Sequence, residues 1–254
     1  RGGSQSGSTA GLQVREQGIS IGYFSLHNRT GGASAAGIGV RIPNTLWIAG
    51  QWVDAAGTPF TDDTADAQDT TGAGDFALET LVISDGYVVA SRVPFNAIGL
   101  DVDTASVGAA GVRNMRFTDA EGDAWTDMTE ADFFSDDGFG VAGTNYATGE
   151  QLAVWAVPPA WGRTQNGGLS GIPEGYYAIN VRATVAYTTA GLAGALNLYR
   201  IYWATDALAD NGTLEWSGGG VDFHMPYGDG LVAYFDGAIS TTNSRLTASV
   251  RTRS

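Results

Sequence analysis

His27 and His224 are the only side chains here whose unperturbed titration falls near neutrality. A hydrolytic site would need one of them beside a nucleophile and an orienting carboxylate. They stand near opposite ends of the sequence, His224 within Asp222-Phe-His-Met-Pro-Tyr227, and no Gly-x-Ser-x-Gly elbow accompanies either. Both therefore read as core or interface histidines. A glycosidase could work with two carboxylates, but nothing singles out a pair among the 27 acidic residues. The expectation is a protein without a catalytic centre.

Asp119, Glu121 and Asp123 put carboxylates at i, i+2 and i+4 around Gly122. In a turn they could converge on Ca²⁺, a hard cation that takes six to eight oxygens. The EF-hand pattern is absent, and an exposed hairpin tip accounts for the same residues. Asp62, Asp63 and Asp66, and the pair Asp136-Asp137, carry the same two readings. Of the seven tryptophans, Trp161 and Trp216 lie beside turns and are the candidates for stacking on a ligand; most of the others should pack, each burying ~150–250 Å². Asn28-Arg-Thr30 and Asn211-Gly-Thr213 match the N-glycosylation sequon, and a tight turn explains the second equally well.

The elements that must position these groups are strands. From Tyr177 to Tyr187 the odd positions Ile179, Val181, Ala183 and Val185 are apolar, and Asn180, Arg182 and Thr184 lie between them. Period-2 alternation packs one face on a core and leaves the other to water or a partner. Pro173-x-Gly175-x-Tyr177 has the spacing of a tyrosine corner, in which a Tyr opening a sandwich strand bonds back to the preceding loop. Strand-like runs recur between Gly-rich turns along the whole chain, and sustained helical periodicity appears nowhere. The fold class is all-β, an antiparallel β-sandwich or jelly-roll-like arrangement. Its parts read as a flexible Gly/Ser arm over 1–12, N-terminal strands over 13–56, an exposed acidic loop over 57–74, a central β-sandwich over 75–206, and C-terminal strands over 207–254 that complete the same or an adjoining sheet.

With 254 residues the chain can bury roughly 70–75% of its unfolded surface. The absence of cysteine excludes a disulfide scaffold and thiolate chemistry. No apolar run reaches the ~18 residues of a membrane-spanning helix. Every basic residue is Arg, and the net charge of −14 argues against nucleic acid and anionic membrane as partners. Arg1, Arg15, Arg245, Arg251 and Arg253 lie toward the termini, while acids concentrate between 54 and 137. Basic ends could dock on an acidic neighbour, or simply be solvated; these five are the candidate assembly residues. The chain begins at Arg1 rather than Met, as expected if a leader or pro-segment had been removed.

Between Phe117 and Thr184 an ordered set of features adds to this: Gly122, Trp125-Thr126, Gly149, Leu152-Ala-Val-Trp155, Pro158-Pro-Ala-Trp161, Gly175, and Tyr177-Ala-Ile-Asn-Val-Arg182. The set resembles a β-sandwich module of virion structural proteins of tailed viruses of bacteria and archaea. The Phe133–Tyr146 insertion departs from that pattern. The resemblance implies a scaffold role at a particle surface, as capsid decoration, head fibre or tail-associated part, self-associating as a trimer or dimer and binding other virion proteins, with no cofactor. A secreted carbohydrate-binding or adhesin-like module is the alternative, with a glycan receptor as partner and Ca²⁺ as its candidate ion. The acidic composition also suits high salt, where the Debye length of ~3 Å at 1 M removes self-repulsion. The melting temperature is expected to rise between low and molar salt; a flat response would remove the salt-adapted reading.

Overall fold

Residues with alternating burial make the sheets, and residues that need a positive φ or a rigid ring make the turns between them. The computed structural model describes residues 9–13, 19–21, 23–28, 32–55, 57–70, 75–79, 82–108, 113–135, 145–217, 223–225, 230–235 and 245–247. Strands are antiparallel throughout the described pairings, so the chain is an all-β protein. It divides into two compact units, residues 44–198 and residues 1–43 with 199–254. These boundaries differ from the sequence-based parsing: residues 44–74 belong with the central strands, and the second unit joins both ends of the chain.

The 44–198 unit is built on a six-stranded sheet in the order Trp125–Asp127, Arg113–Thr118, Tyr177–Ala183, Gly86–Ser91, Trp47–Trp52, Phe60–Asp62. The register Phe117↔Ile179↔Val89↔Ala49 puts apolar residues from four strands on one face. That face meets a second sheet, in which the first part of Leu192–Leu208 pairs with Ala97–Thr104, followed by Gly149–Trp155 and Phe133–Ser135. Phe76, in the short strand Phe76–Ala77 beside Leu192, sets its ring edge-on to Tyr87 at 5.7 Å, from one sheet to the other. The result is an antiparallel sandwich with Tyr87, Val89, Met115, Ile179, Val181 and Trp155 in its core.

The opposite face of the six-stranded sheet is also covered over part of its area. Trp52, Val88, Ala90 and Ala178 pack beneath Phe60, Leu169, Ile172 and Tyr176. Every residue of the Gly86–Ser91 strand is consequently buried, as expected where both faces of a strand are shielded. The covering segment is anchored by Thr164. Its Oγ1 donates to the Pro173 carbonyl at 2.6 Å and accepts the Tyr176 N–H at 3.0 Å. Thr164 thus closes the corner that the sequence assigned to Tyr177, whose ring instead packs against Trp161 at 5.5 Å.

The 57–74 region is more than a loop: it holds the strand Phe60–Asp62 and a one-turn helix, Thr64–Gln68. Asp62 accepts from the Thr64 N–H and hydroxyl at 2.9 and 2.6 Å and starts that turn. In the other unit, Thr9–Gln13 pairs with Gly230–Phe235, which pairs with Ser34–Arg41, which pairs with the latter part of Leu192–Leu208. Residues 9–12, expected in a flexible arm, are therefore strand, and what orders them is this chain's own 230–235 segment. Tyr23–His27 lies between Thr213–Ser217 and Arg245–Thr247, and Ile19–Ile21 pairs with Phe223–Met225.

Two glycines test how tightly the sandwich turns are made. Gly122 and Gly167 have φ of 79° and 81°. A Cβ on Gly122 would run into the Arg163 carbonyl, whereas one on Gly167 meets nothing within 4 Å. Gly167→Ala should cost about 1–2 kcal/mol from the left-handed backbone alone, and Gly122→Ala should cost clearly more. Denaturant melts giving equal losses would show that the Gly122 turn can relax.

Candidate functional site

An arginine on an inward position of a strand must find a partner or stay out of the core. Arg113 alternates with Met115 and Phe117 on the inner face of its strand and is 0% exposed. Its Nε and Nη2 donate to Glu79 Oε1 at 3.1 and 2.8 Å, and Nη2 reaches Ser106 Oγ at 3.2 Å. The guanidinium lies 3.4 Å from the Tyr146 ring centre, with the Tyr187 ring at 5.6 Å. Glu79 Oε2 accepts the Gly191 N–H at 2.7 Å, and Ser106 Oγ accepts the Tyr146 N–H at 2.7 Å. Burial opposes the charge on Arg113, but Tyr146 and Glu79 outweigh it and hold its proton above the ordinary guanidinium range. Burial also pushes the Tyr87 and Tyr146 hydroxyls upward, and these meet at 3.3 Å. The cluster is rich in reactive groups and sealed from solvent, and it links four stretches of the 44–198 unit.

The outer face of the same sheet carries a second polar group, buried except toward Arg182 and Asp127. Asn114 and Arg116 point outward between Met115 and its inward neighbours, opposite Arg182 and Asn180 in the register. Arg116 is 8% exposed, and its Nε and Nη2 both donate to Asn180 Oδ1, at 3.0 and 2.6 Å. Asn180 in turn donates to the Tyr87 carbonyl at 3.1 Å. Trp125, opposite Thr118, lies with its ring 5.6 Å from the Arg116 guanidinium and makes an edge contact with Trp52 at 5.4 Å. Burial, and then the neighbouring Arg182, lower the Arg116 pKa to about 10, against the pull of Asp54 and Asp127. Asp127 reaches Arg182 at 3.9 Å, a loose pair in which Asp127 is exposed and Arg182 is half-buried.

Of five exposed large aliphatic side chains among the described residues, Val107 and Val157 lie on other segments, and Val53, Val82 and Ile83 lie at one end of this sheet. Val82 and Ile83 are 58% and 54% exposed, and Val53 is 36% exposed. The turn carrying Val82 and Ile83 is tied to the strands of Arg182 and Trp52: Ser84 N–H donates to the Ala183 carbonyl at 2.9 Å, and Asp85 Oδ1 accepts the Asp54 N–H at 2.9 Å. Ser84 holds φ at 76°, so the turn is fixed in a conformation few non-glycine residues adopt.

The candidates from sequence fare differently. Trp161 is corrected: it is 8% exposed, wedged at 5.1 Å from Phe95, with Nε1 donating to the Ala178 carbonyl at 3.2 Å, so it cannot stack on a ligand. Trp216 pairs through its backbone with Phe24, and its side chain lies outside the described residues. The Asp119, Glu121, Asp123 turn is a correction too. Asp119 Oδ1 accepts the N–H groups of Gly122, Asp123 and Ala124 at 2.8, 3.1 and 3.2 Å, so it caps the turn, and among the described residues no three His, Cys, Asp or Glu form a group fit to hold a metal ion.

Asn28 is 0% exposed, with its amide donating to the Leu208 carbonyl at 2.7 Å, so the first sequon is structural. His27 Nδ1 lies 2.8 Å from Thr213 Oγ1; the side chain of His224 is outside the described residues. Arg1, Arg15, Arg251 and Arg253 also lie outside them, and Arg245 is placed only by its backbone, opposite His27.

Sequence reasoning missed Glu79, Arg113, Arg116 and Trp125 as a set. The signal was an Arg on each face of one strand, Arg113 in phase with Met115 and Phe117 and Arg116 out of phase. Glu79→Gln should cost about 3–5 kcal/mol by leaving Arg113 buried without its carboxylate; the double variant Glu79→Gln with Arg113→Met should lose less than the two single losses combined, and strict additivity in denaturant melts would count against the pair. No protein-family model, no curated protein and no solved structure matches this chain.

Proposed function

We propose that the protein is a structural component of a virus particle, a capsid-decoration, head-fibre or tail-associated part that works by protein–protein assembly and not by catalysis. The observation that carries this reading is the group of exposed aliphatic residues at one end of the 44–198 sandwich: Val82 and Ile83 on a turn bonded to Ala183, next in sequence to Arg182, and Val53 beside Asp54, to which the same turn is bonded. Aliphatic, aromatic and Arg side chains together are the composition of interface hot spots. The polar cluster rich enough for chemistry, around Arg113, is closed to a substrate by burial. The residues that carry the resemblance to virion sandwich modules form the Arg113–Thr118 and Trp125–Asp127 hairpin, the Gly149–Trp155 strand and the Tyr177–Ala183 strand.

In this reading the particle surface is the site of action, and other virion proteins and further copies of the chain are the partners. Mass spectrometry of purified particles from the source should find the protein in fixed ratio to the capsid subunits; its absence from them would overturn the proposal. Val82→Asp with Ile83→Asp should cut incorporation while leaving the melting temperature nearly unchanged, since both residues are exposed.

A further inference from the structure

Arg116 and Arg182 occupy neighbouring outward positions on adjacent strands of a chain whose net charge is −14. Two guanidiniums side by side repel, and that repulsion contributes to the depressed pKa of Arg116. Among the described residues no carboxylate lies within ion-pair distance of Arg116, whose bonds go to the neutral Asn180 amide. Arg182 has one contact with a carboxylate, at 3.9 Å. The Arg182 Nε, the Trp125 Nε1 and the Asn114 Oδ1 are buried atoms without a hydrogen-bond partner among the described residues. Buried polar atoms are ordinarily paired. Two of these atoms, Arg182 Nε and Trp125 Nε1, are donors, and the carboxylate nearest the arginines, Asp127, makes only the loose 3.9 Å contact, so the face keeps donors and positive charge for an anion.

We propose that this Trp125–Arg116–Arg182 face, with the Val82–Ile83 turn beside it, docks a carboxylate-bearing segment of a second copy of this chain. The inference rests on the assembly reading above and names its partner. Charge complementarity selects the occupant: the chain carries 27 acids against 13 arginines, so another copy presents carboxylates, Asp62, Asp101, Asp103 and Glu150 among them, on exposed positions. Like-charged copies repel at long range, and at 0.15 M ionic strength that repulsion is screened beyond ~8 Å. The close contact at the arginines survives, because Arg binds a carboxylate through paired donors in fixed geometry. The exposed aliphatic residues supply the apolar area that a carboxylate pair alone lacks. A free acidic sugar would use the arginines and the indole but leave Val82 and Ile83 idle.

Sedimentation velocity of the purified full chain at 0.15 M salt tests this. Self-association is expected, with Arg182→Glu weakening it by about tenfold or more, the size of a hot-spot loss. Arg163→Glu makes the same change in net charge at an exposed position over the Tyr177 ring, on a side chain that is not part of the proposed contact, and should leave association unchanged. Arg182→Gln should fall between wild type and Arg182→Glu, and circular dichroism melts check that each variant is folded. A monomeric wild type overturns the proposal, and so does equal weakening by Arg163→Glu and Arg182→Glu. Self-association lost in Arg182→Glu, with the protein absent from particles, would keep this docking and reject the virion reading; a monomer found in particles would do the reverse.

Discussion

A guanidinium removed from water keeps its charge only if the surrounding atoms replace the solvent, and Arg113 shows what that demands. Glu79 comes from the end of one segment, Ser106 and Tyr146 from two others, and Gly191 fixes the second oxygen of the carboxylate. Four stretches distant in sequence must therefore arrive together before the charge is satisfied. Removing two charges from water is costly, and their mutual attraction repays that only when every remaining donor and acceptor finds a partner. Such a cluster specifies one arrangement of strands more than it adds stability.

The six-stranded sheet rests on that arrangement and faces two ways. Its inner face is apolar and closed by a second sheet. Its outer face is split: one half is roofed by Leu169, Ile172 and Tyr176, and the other half carries Arg116, Asn180, Arg182 and Trp125. Thr164 and the Trp161 indole hold the roof by bonds to backbone carbonyls, of Pro173 and Ala178. Trp125 packs against the edge of that roof, and beyond it the sheet carries Arg116 and Arg182 on a rigid base. Loops bring mobility to a binding surface; strands bring a fixed spacing of side chains, and the spacing between Arg116 and Arg182 is set by register alone.

Much of this was legible in the residues. The alternation from Tyr177 to Ala183 gave both the strand and its inward face, and the Gly-rich turns and the absence of helical periodicity gave the class. The Asp54 to Gly74 stretch misled because small polar residues look like a loop, whereas Phe60 needed only three residues to extend the sheet and bury its ring beside Trp52. Trp161 misled in a similar way: a tryptophan beside prolines and a glycine looks exposed, but tertiary packing against Phe95 decides its burial. Asp119, Glu121 and Asp123 suggested a metal because spacing cannot reveal which acceptors are already committed to backbone N–H groups. The Arg113 pairing depends on contacts across 34 residues to Glu79 and across the sheets to Tyr146, and local pattern carries no information on either.

Residues 44–198 form one compact unit inserted between the two parts of the other, 1–43 and 199–254. During synthesis the inserted unit has all of its residues once Leu198 has emerged. The strand Ser34–Arg41, made long before, gains one neighbour from the latter part of Leu192–Leu208 and the other only when Gly230–Phe235 appears. Domains generally fold as units as the chain appears, so here the middle of the polypeptide matures first and its two ends close last. The strand Thr9–Gln13 joins only then, since its described neighbour is that same late segment.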